Sequence, residues 1–266
     1  MFRDTCLICG SKKLNEILDL GIQPFADTFI PNSRISESDS AYPLICDLCG
    51  DCGQVQTKAI TKPEDRYCSH DYSYTSSNSG FSRNHWTKFV EEVSEKVSLE
   101  KTQGVVEIGS NDGFLAERFL EKGNPVIGVD PSQYMAELAA QRKIKTIVGL
   151  FDSQMATRIQ RNWGRPDLIV ANNVFNHSND PKDFAYGVSQ LLNKEGTFVF
   201  ELPYWLDSVK SRHIDQVYHE HVSYFTVKSS IELMSKVGMA VDHVDVVDYH
   251  GGSLRVFARH KNQVSQ

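Results

Sequence analysis

The chain has 266 residues, with 28 Lys and Arg against 34 Asp and Glu for a formal net charge of −6, and is 40% hydrophobic and 23% charged. This composition suits a soluble globular protein with one large core or a large domain plus a small one, and the acidic balance argues against a nucleic-acid binder, which presents a basic face to phosphates. There is no apolar run long enough for a membrane span and Met1-Phe2-Arg3-Asp4-Thr5-Cys6 is no signal peptide, so a cytoplasmic protein without membrane partners is expected.

Residues 1–75 are rich in Cys, Gly, Pro, Ser and Asp and show no sustained helical period. They are expected to form a small loop-rich domain that buries little core and leans on a metal. Five of the six cysteines lie within the first 52 residues. Disulfides would be unusual in a reducing compartment and do not account for paired C-x2-C spacing. Cys6-x2-Cys9 and Cys49-x2-Cys52 can converge on one tetrahedral zinc ion, with Gly10, Gly50 and Gly53 serving the tight turns. Four sulfur ligands fill the coordination sphere, so this zinc would be structural. Cys46-x2-Cys49 is also a legal pair; Cys49 and Cys52 are preferred, with Cys46 spare and Cys68 an ordinary thiol.

Residues 76–100 are assigned to a connecting segment. Within it Phe81, Trp86, Phe89, Val90, Val93 and Val97 recur at helical spacing over 81–98, which predicts an amphipathic helix. From Gly104 strands and helices alternate over 101–266. Strands are predicted at 104–109, 125–130, 145–151, 167–172 and 197–202, and helices at 114–122, 134–142, 153–162 and 182–192. A helix at 227–237 and strands at 240–247 and 254–259 close the chain. Such alternation implies a mostly parallel, doubly wound α/β sheet of Rossmann-like type.

The turn after the first of these strands, Glu107-Ile108-Gly109-Ser110-Asn111-Asp112-Gly113, lies where doubly wound sheets bind ligands. It is not G-x-G-x-x-G. A pyrophosphate wants bare amides, whereas Glu107 and Asp112 bracket this turn and suit a cationic amino-acid moiety. S-adenosylmethionine carries an ammonium and a sulfonium and no phosphate, so it is the expected cofactor. Gly109 and Gly113 would admit it closely. About twenty residues on, Asp130 ends the second strand, where an acid can bind both ribose hydroxyls. After the fourth strand come Asn172, Asn173, Asn176 and His177, expected to line the cofactor or substrate pocket, and Tyr204 follows the fifth strand. Asp215 to His221 place Tyr218, two imidazoles (His219 and His221) and two acids within seven residues. Metal ligation by His219 and His221, a structural histidine cluster, and a general base oriented by a carboxylate all remain open for this segment.

The ordered motifs C-x2-C-Gly, Asp19-Leu20-Gly21-x-Gln23-Pro24, Cys49-x2-Cys52-Gly53-x-Val55-Gln56, Asp71-Tyr72-x-Tyr74-x-Ser76-Ser77, the Val106 to Gly113 turn, Tyr218-x-Glu220-His221 and His250-Gly251-Gly252 span essentially the whole chain. Together they resemble the nucleotide-activated deoxysugar C-methyltransferases. The resemblance implies an N-terminal zinc-binding domain, a class I S-adenosylmethionine-dependent methyltransferase domain, and a substrate that is a nucleoside-diphosphate 4-keto-6-deoxysugar methylated at C-3. It implies Tyr218, Glu220 and His221 as catalytic residues, with His221 the base that forms an enolate. Tyr72 or Tyr74, His177 and His250 become substrate-pocket residues, and Asn173 a polar residue near the cofactor. The family usually carries a further C-terminal α/β domain, which this chain, ending at Gln266, is expected to lack. An O- or N-methyltransferase of another small molecule, and a non-catalytic sugar-nucleotide-binding relative, are the competing expectations.

Overall fold

A computed structural model describes residues 1–26, 32–34, 36, 40–67 and 74–264. Two sheets organise the described residues. Strands β1 (Leu14–Pro24), β2 (Ala41–Cys49) and β3 (Val55–Thr57) pair antiparallel in that order, and a two-residue strand, β9 (Ser223–Tyr224), pairs antiparallel with β3. The N-terminal segment is therefore more ordered than its composition predicted. The register of β1 against β2 shifts between Glu16 and Leu18 and again between Asp19 and Ile22. Each bulge breaks the period-two pattern by which a strand is recognised.

The second sheet has seven strands in the order β10-β11-β8-β7-β4-β5-β6. Strands β4 (Val105–Ile108), β5 (Val126–Asp130), β6 (Lys145–Val148), β7 (Leu168–Asn172) and β8 (Thr197–Pro203) run parallel, while β10 (Met239–Val247) and β11 (Ser253–His260) add an antiparallel edge. All residues of β4 and β8 are buried. This is why they read as mostly apolar segments, interrupted by the buried Glu107 and Glu201, since both faces of a parallel sheet are covered by helices. The order reverses at β4, between β5 and β7, and opens the switch-point crevice at the strands' carboxyl ends.

The helices carry local stop and start signals. After the short α1 (Pro63–Tyr67), α2 (Gly80–Lys96) starts at Ser79, whose side chain accepts from the Ser82 amide, and buries Trp86, Phe89, Val90 and Val93 on one face. Helix α3 (Phe114–Glu121) follows Gly113 in the left-handed region. Ser132 caps α4 (Gln133–Gln141), Asp152 caps α5 (Ser153–Trp163), and Asp180 caps α6 (Pro181–Leu191), which opens on proline. Thr226 and Ser229 form a reciprocal capping box on α8 (Val227–Lys236). Helix α7 (Trp205–Ser211) was not expected: it spans seven residues and buries only Ser208, too short for a helical period to show. Among the described residues, no helix is long and apolar enough to cross a membrane.

The two sheets share a core. Cys6, Ile8, Cys49 and Cys52 belong to the same buried cluster as Phe175, Phe200 and Phe225, and Trp86, Phe89, Phe119 and Phe257 fill the other face of the large sheet. Polar clasps add to this packing. Arg3 donates to the Thr57 and Ala59 carbonyls at 3.0 and 2.7 Å and to Oδ1 of Asn179 at 3.1 Å. Arg66 donates to the His177 and Glu220 carbonyls, both at 3.3 Å, and to the same Asn179 oxygen. The Asn179 amide returns a bond to the Thr61 carbonyl at 2.8 Å.

Candidate active site

A cavity of about 300 Å³ lies at the carboxyl ends of β4, β5, β6 and β7. Gly109 sits at its floor with φ +73°, and a Cβ there would come within 2.8 Å of the Val174 Cβ, so the close approach of the turn requires glycine. Asp130, at the end of β5, accepts from the Asn111 amide at 2.8 Å and the Ser132 amide at 2.9 Å. Burial pushes its pKa up and these two amides pull it back. Fixed in this way, Asp130 is a preset acceptor on the wall. Phe151 and Asp152 line the same side, and Asn172, Asn173 and His177 the other.

Of the predicted cofactor residues, Gly109, Asn111, Asp130 and Asn173 line the cavity. Glu107, Asp112 and Gly113 are not on its wall. Strand alternation puts Glu107 on the face opposite Val106 and Ile108, where it is 6% exposed. Burial first, and then Asp112, hold its carboxyl well above the usual range, with the Ala116 amide opposing. Asp112 accepts from the Ser76 hydroxyl at 2.6 Å and from the Ser77 hydroxyl, and pairs with Arg142 at 3.5 Å. It ties the entry of α2 to the turn instead of facing a ligand. Gly113 serves packing, since a Cβ there would lie 2.9 Å from that of Ala139. Asn111 acts as a clasp as well as lining: its oxygen accepts from the Ser76 and Asp112 amides, and its amide donates to the Tyr74 carbonyl at 3.0 Å.

Tyr218 and His221 meet in a turn, not on a strand. The phenol lies 2.7 Å from Nε2 of His221, and Nδ1 lies 2.8 Å from the Gln216 carbonyl. A carbonyl can only accept, so Nδ1 carries the hydrogen and Nε2 accepts from the phenol. His221 is 4% exposed, and burial lowers its pKa to about 3, with the Gln216 carbonyl opposing and His250 adding to the fall. The ring of His177, on the cavity wall, stands 5.1 Å from that of His221. Desolvation, then His221 and Arg66, hold His177 well below its ordinary pKa. His219 is separate: its Nε2 lies 3.2 Å from the Tyr42 carbonyl and its ring packs on Phe25. Hence His219 and His221 do not share a face and do not converge on a metal.

The remaining predicted positions are spread around this centre. Tyr74 lines the cavity, its phenol pushed up by burial and by Tyr249. Glu220 is buried and its carbonyl accepts from Arg66. Tyr218 faces a second groove with Phe25, Leu44 and His219. Tyr204 heads α7 and His250 adjoins Tyr249 at φ +49°; neither is on the cavity wall. Tyr72 and Cys68 lie outside the described residues. Two cavity residues were not anticipated: Trp86, which reads as helical core yet lines the cavity, and Asp152, which the structure shows capping α5. The buried Glu201, bound by His85 at 2.6 Å and Arg255 at 2.7 Å, was also not singled out. Only the tertiary fold brings these groups together.

Cys6, Cys9, Cys49 and Cys52 bring their sulfurs within 4.8 Å of one another. The Cys6–Cys52 and Cys9–Cys49 separations are both 3.5 Å, close to the edge of about 3.8 Å that four Zn–S bonds of about 2.3 Å would span in a tetrahedron. The turns are those a knuckle needs: Gly10 and Gly53 adopt φ +75° and +74°, and their amides return to the Cys6 and Cys49 carbonyls. The hydrogen bond from Cys52 lowers the Cys6 thiol to about 5. Cys46 stands apart, fully buried and raised to about 12 by desolvation, so the four-sulfur site takes Cys49 and Cys52 and leaves Cys46 out. The donor set fits a structural zinc.

Comparison with known proteins agrees with this geometry. Residues 80–244 match a family model described as a methyltransferase domain, and residues 6–67 match one described as a zinc binding domain. The C-methyltransferase NovU of Streptomyces niveus is 31% identical over 255 residues, covering 96% of this chain. The chain spans 60% of the length of NovU. A methyltransferase of Bacillus mycoides is 31% identical over 112 residues, 41% of this chain and 51% of its own. Among solved structures, magnesium protoporphyrin IX methyltransferase from Synechocystis PCC 6803 with bound SAH superposes with a TM-score of 0.52 at 14% identity, over 67% of this chain and 83% of its own. An S-adenosylmethionine-dependent methyltransferase of Clostridium acetobutylicum gives 0.51 at 15% identity, over 74% and 96%. At these identities the structures show the fold.

Proposed function

This chain belongs to the methyltransferase-domain family, and on that premise we propose that it transfers a methyl group from S-adenosylmethionine to C-3 of a nucleoside-diphosphate 4-keto-6-deoxysugar. The donor's place is the switch-point cavity, with Asp130 as acceptor for the ribose hydroxyls and Phe151 and Asp152 beside the purine. When bound, the donor supplies an electrophilic methyl on a sulfonium. NovU is named a C-methyltransferase and matches nearly all of this chain, which supports carbon as the acceptor.

The observation that carries the chemistry is the Tyr218–His221 hydrogen bond. A hydrogen at C-3 is acidified by the neighbouring C-4 ketone because the carbanion delocalises as an enolate. His221 is buried behind the phenol, so Tyr218 is the group that meets the substrate. Its oxygen takes the C-3 proton as its own proton passes to Nε2 of His221, and the enolate carbon then attacks the methyl. An imidazole at a pKa of about 3 is a weak acceptor at rest; negative charge growing on the enolate oxygen raises it as the proton moves. Holding the carbon and the methyl in near-attack geometry supplies much of the acceleration.

Incubating the protein with nucleoside-diphosphate 4-keto-6-deoxysugars in deuterium oxide, with no methyl donor, tests this directly. Exchange at C-3, and a C-methyl product once S-adenosylmethionine is added, are expected. A product methylated on oxygen or nitrogen with no exchange at C-3 would overturn the proposal in favour of a different acceptor.

A further inference from the structure

The reactive imidazole is oriented by the backbone, since Nδ1 of His221 donates to the Gln216 carbonyl at 2.8 Å. Whatever holds that carbonyl in place therefore bears on the chemistry. Gln216 ends a 3-10 turn, Ile214–Gln216, and its amide returns to the His213 carbonyl at 3.3 Å. The turn buries none of its own residues, so its position is set from its ends. At the near end His213 follows α7, with its amide on the Ser208 carbonyl at 2.9 Å. Its ring lies against a second turn, His250-Gly251-Gly252. A Cβ on Gly251 would overlap the His213 ring, and one on Gly252 would lie 2.8 Å from the Asp207 Cβ. The glycine pair is thus a bed for α7 and for the residue beyond its end.

This bed is fixed from behind. The Tyr249 carbonyl accepts from the Gly252 amide at 3.0 Å and the Ser253 hydroxyl at 2.9 Å, and the Gly252 carbonyl accepts from the Tyr204 amide at 2.9 Å. The Tyr249 ring, 2% exposed, lies parallel to the His85 ring at 3.8 Å, and His85 is bound to the buried Glu201 at 2.6 Å. Apolar side chains of similar volume could hold the helix to the sheet as well. A carboxylate on an imidazole adds a fixed ring orientation, which the parallel stack passes to Tyr249. His250, Gly251 and Gly252 are all held left-handed, at φ +49°, +75° and +114°. They line neither the donor cavity nor the groove that Tyr218 faces. Backbone held in this way persists where geometry matters to function. Resting on the proposed role of His221, we infer that Gly251 and His213 are positioning residues for that imidazole. The glycine seats the His213 ring, His213 sets the 3-10 turn, and the Gln216 carbonyl at its end keeps the hydrogen on Nδ1 and leaves Nε2 to the phenol.

The tautomer of His221 reads this role independently of turnover. Nitrogen NMR on the full chain with isotopically labelled histidine, His221 being assigned by its loss in His221→Gln, should find the wild-type hydrogen on Nδ1 at neutral pH. Gly251→Ala should displace the His213 ring, spread His221 over both tautomers and slow exchange at C-3 about tenfold to a hundredfold, the scale for a misplaced catalytic group. Neither residue lines the donor cavity. Affinity for S-adenosylhomocysteine should therefore stay within about twofold, as for independent sites, and report an intact fold. His213→Ala alone should fall between wild type and Gly251→Ala. Added to Gly251→Ala, it removes the ring that the new methyl meets, so the double variant should return toward the tautomer and rate of His213→Ala alone. Gly251→Ala with wild-type tautomer and exchange rate would overturn the assignment, as would losses from the two substitutions that simply add. If Gly251→Ala does not fold, His213→Ala decides: a relaxed tautomer supports the seat and an unchanged one overturns it. A wild type that exchanges no 4-keto sugar would sink the proposed reaction, while the tautomer comparison would still decide the seat.

Discussion

Tyr218 gives its phenolic hydrogen to Nε2 of His221 across 2.7 Å, while the Gln216 carbonyl holds the imidazole from behind through Nδ1 at 2.8 Å. The tautomer is therefore set by the backbone and the direction of the phenol bond follows from it. Replacing Tyr218 by Phe or His221 by Gln should each lower kcat by about a hundredfold or more, the usual scale for a lost acid–base group. Affinity for S-adenosylhomocysteine should stay near wild type, since neither residue lines that cavity. Near-wild-type turnover in either variant would remove the pair from the chemistry.

Burial of His221 also links folding to pH. Its pKa falls from 6.5 to about 3 in the folded chain. Between those values the unfolded chain holds the extra proton, so the contribution to stability is complete above pH 6.5 and is lost as pH falls through the window, by about 1.4 kcal/mol per unit. His177 and His250 are lowered too and act in the same direction, whereas the raised carboxyls of Glu107 and Asp130 act against them. Thermal melts of wild type and His221→Gln between pH 7 and 5 separate this group from the rest. The variant should lose less stability over the range, and parallel curves would show that His221 titrates normally.

The four-sulfur cluster makes a stoichiometric claim. Elemental analysis should find one zinc per chain, absent from Cys9→Ala and Cys52→Ala and retained by Cys46→Ala, because Cys46 lies outside the cluster. Loss of the metal should lower the melting temperature, since the knuckles form part of the main buried core. Zinc lost from Cys46→Ala and kept by Cys52→Ala would mean the wrong ligand set.

Gly109 combines φ +73° with a Cβ position 2.8 Å from Val174. Gly109→Ala should destabilise the fold by about 1–3 kcal/mol, from overpacking added to a left-handed backbone, and should weaken S-adenosylhomocysteine as the turn shifts. Chemical denaturation alongside calorimetry measures both; an alanine variant of unchanged stability and affinity would show the turn to be looser than its geometry indicates.

The large sheet was legible because its central strands are buried on both faces, so the runs before Gly109 and Pro203 are predominantly apolar, each broken by a single glutamate, Glu107 or Glu201. The small sheet was not, since two bulges disturb β1 and the strands that complete it have three and two residues. At the site, Asp130 could be placed because a strand-end acid has one place to point. Glu107 could not: spacing gives its distance from Gly109 but not the face of β4 it occupies, and it lies on the buried side. Trp86 was hidden for the opposite reason, its helical spacing advertising a core role while the residue also borders the cavity. The Tyr218–His221 bond depends on a turn, whose side-chain directions follow no period.

Ser223 and Tyr224 begin two residues after His221 and complete the small sheet by pairing with β3. The peptide that bears the phenol and imidazole is thereby sewn into the cysteine-bearing module, and the Val222 carbonyl accepts from the Thr57 amide at 3.0 Å to tighten the seam. An engineer who transplanted the doubly wound part alone onto another scaffold would carry the reactive pair along with a severed anchor. The two parts should exchange between homologues only as one inherited cassette, and chimaeras joined between them should recover activity only when both halves come from the same parent.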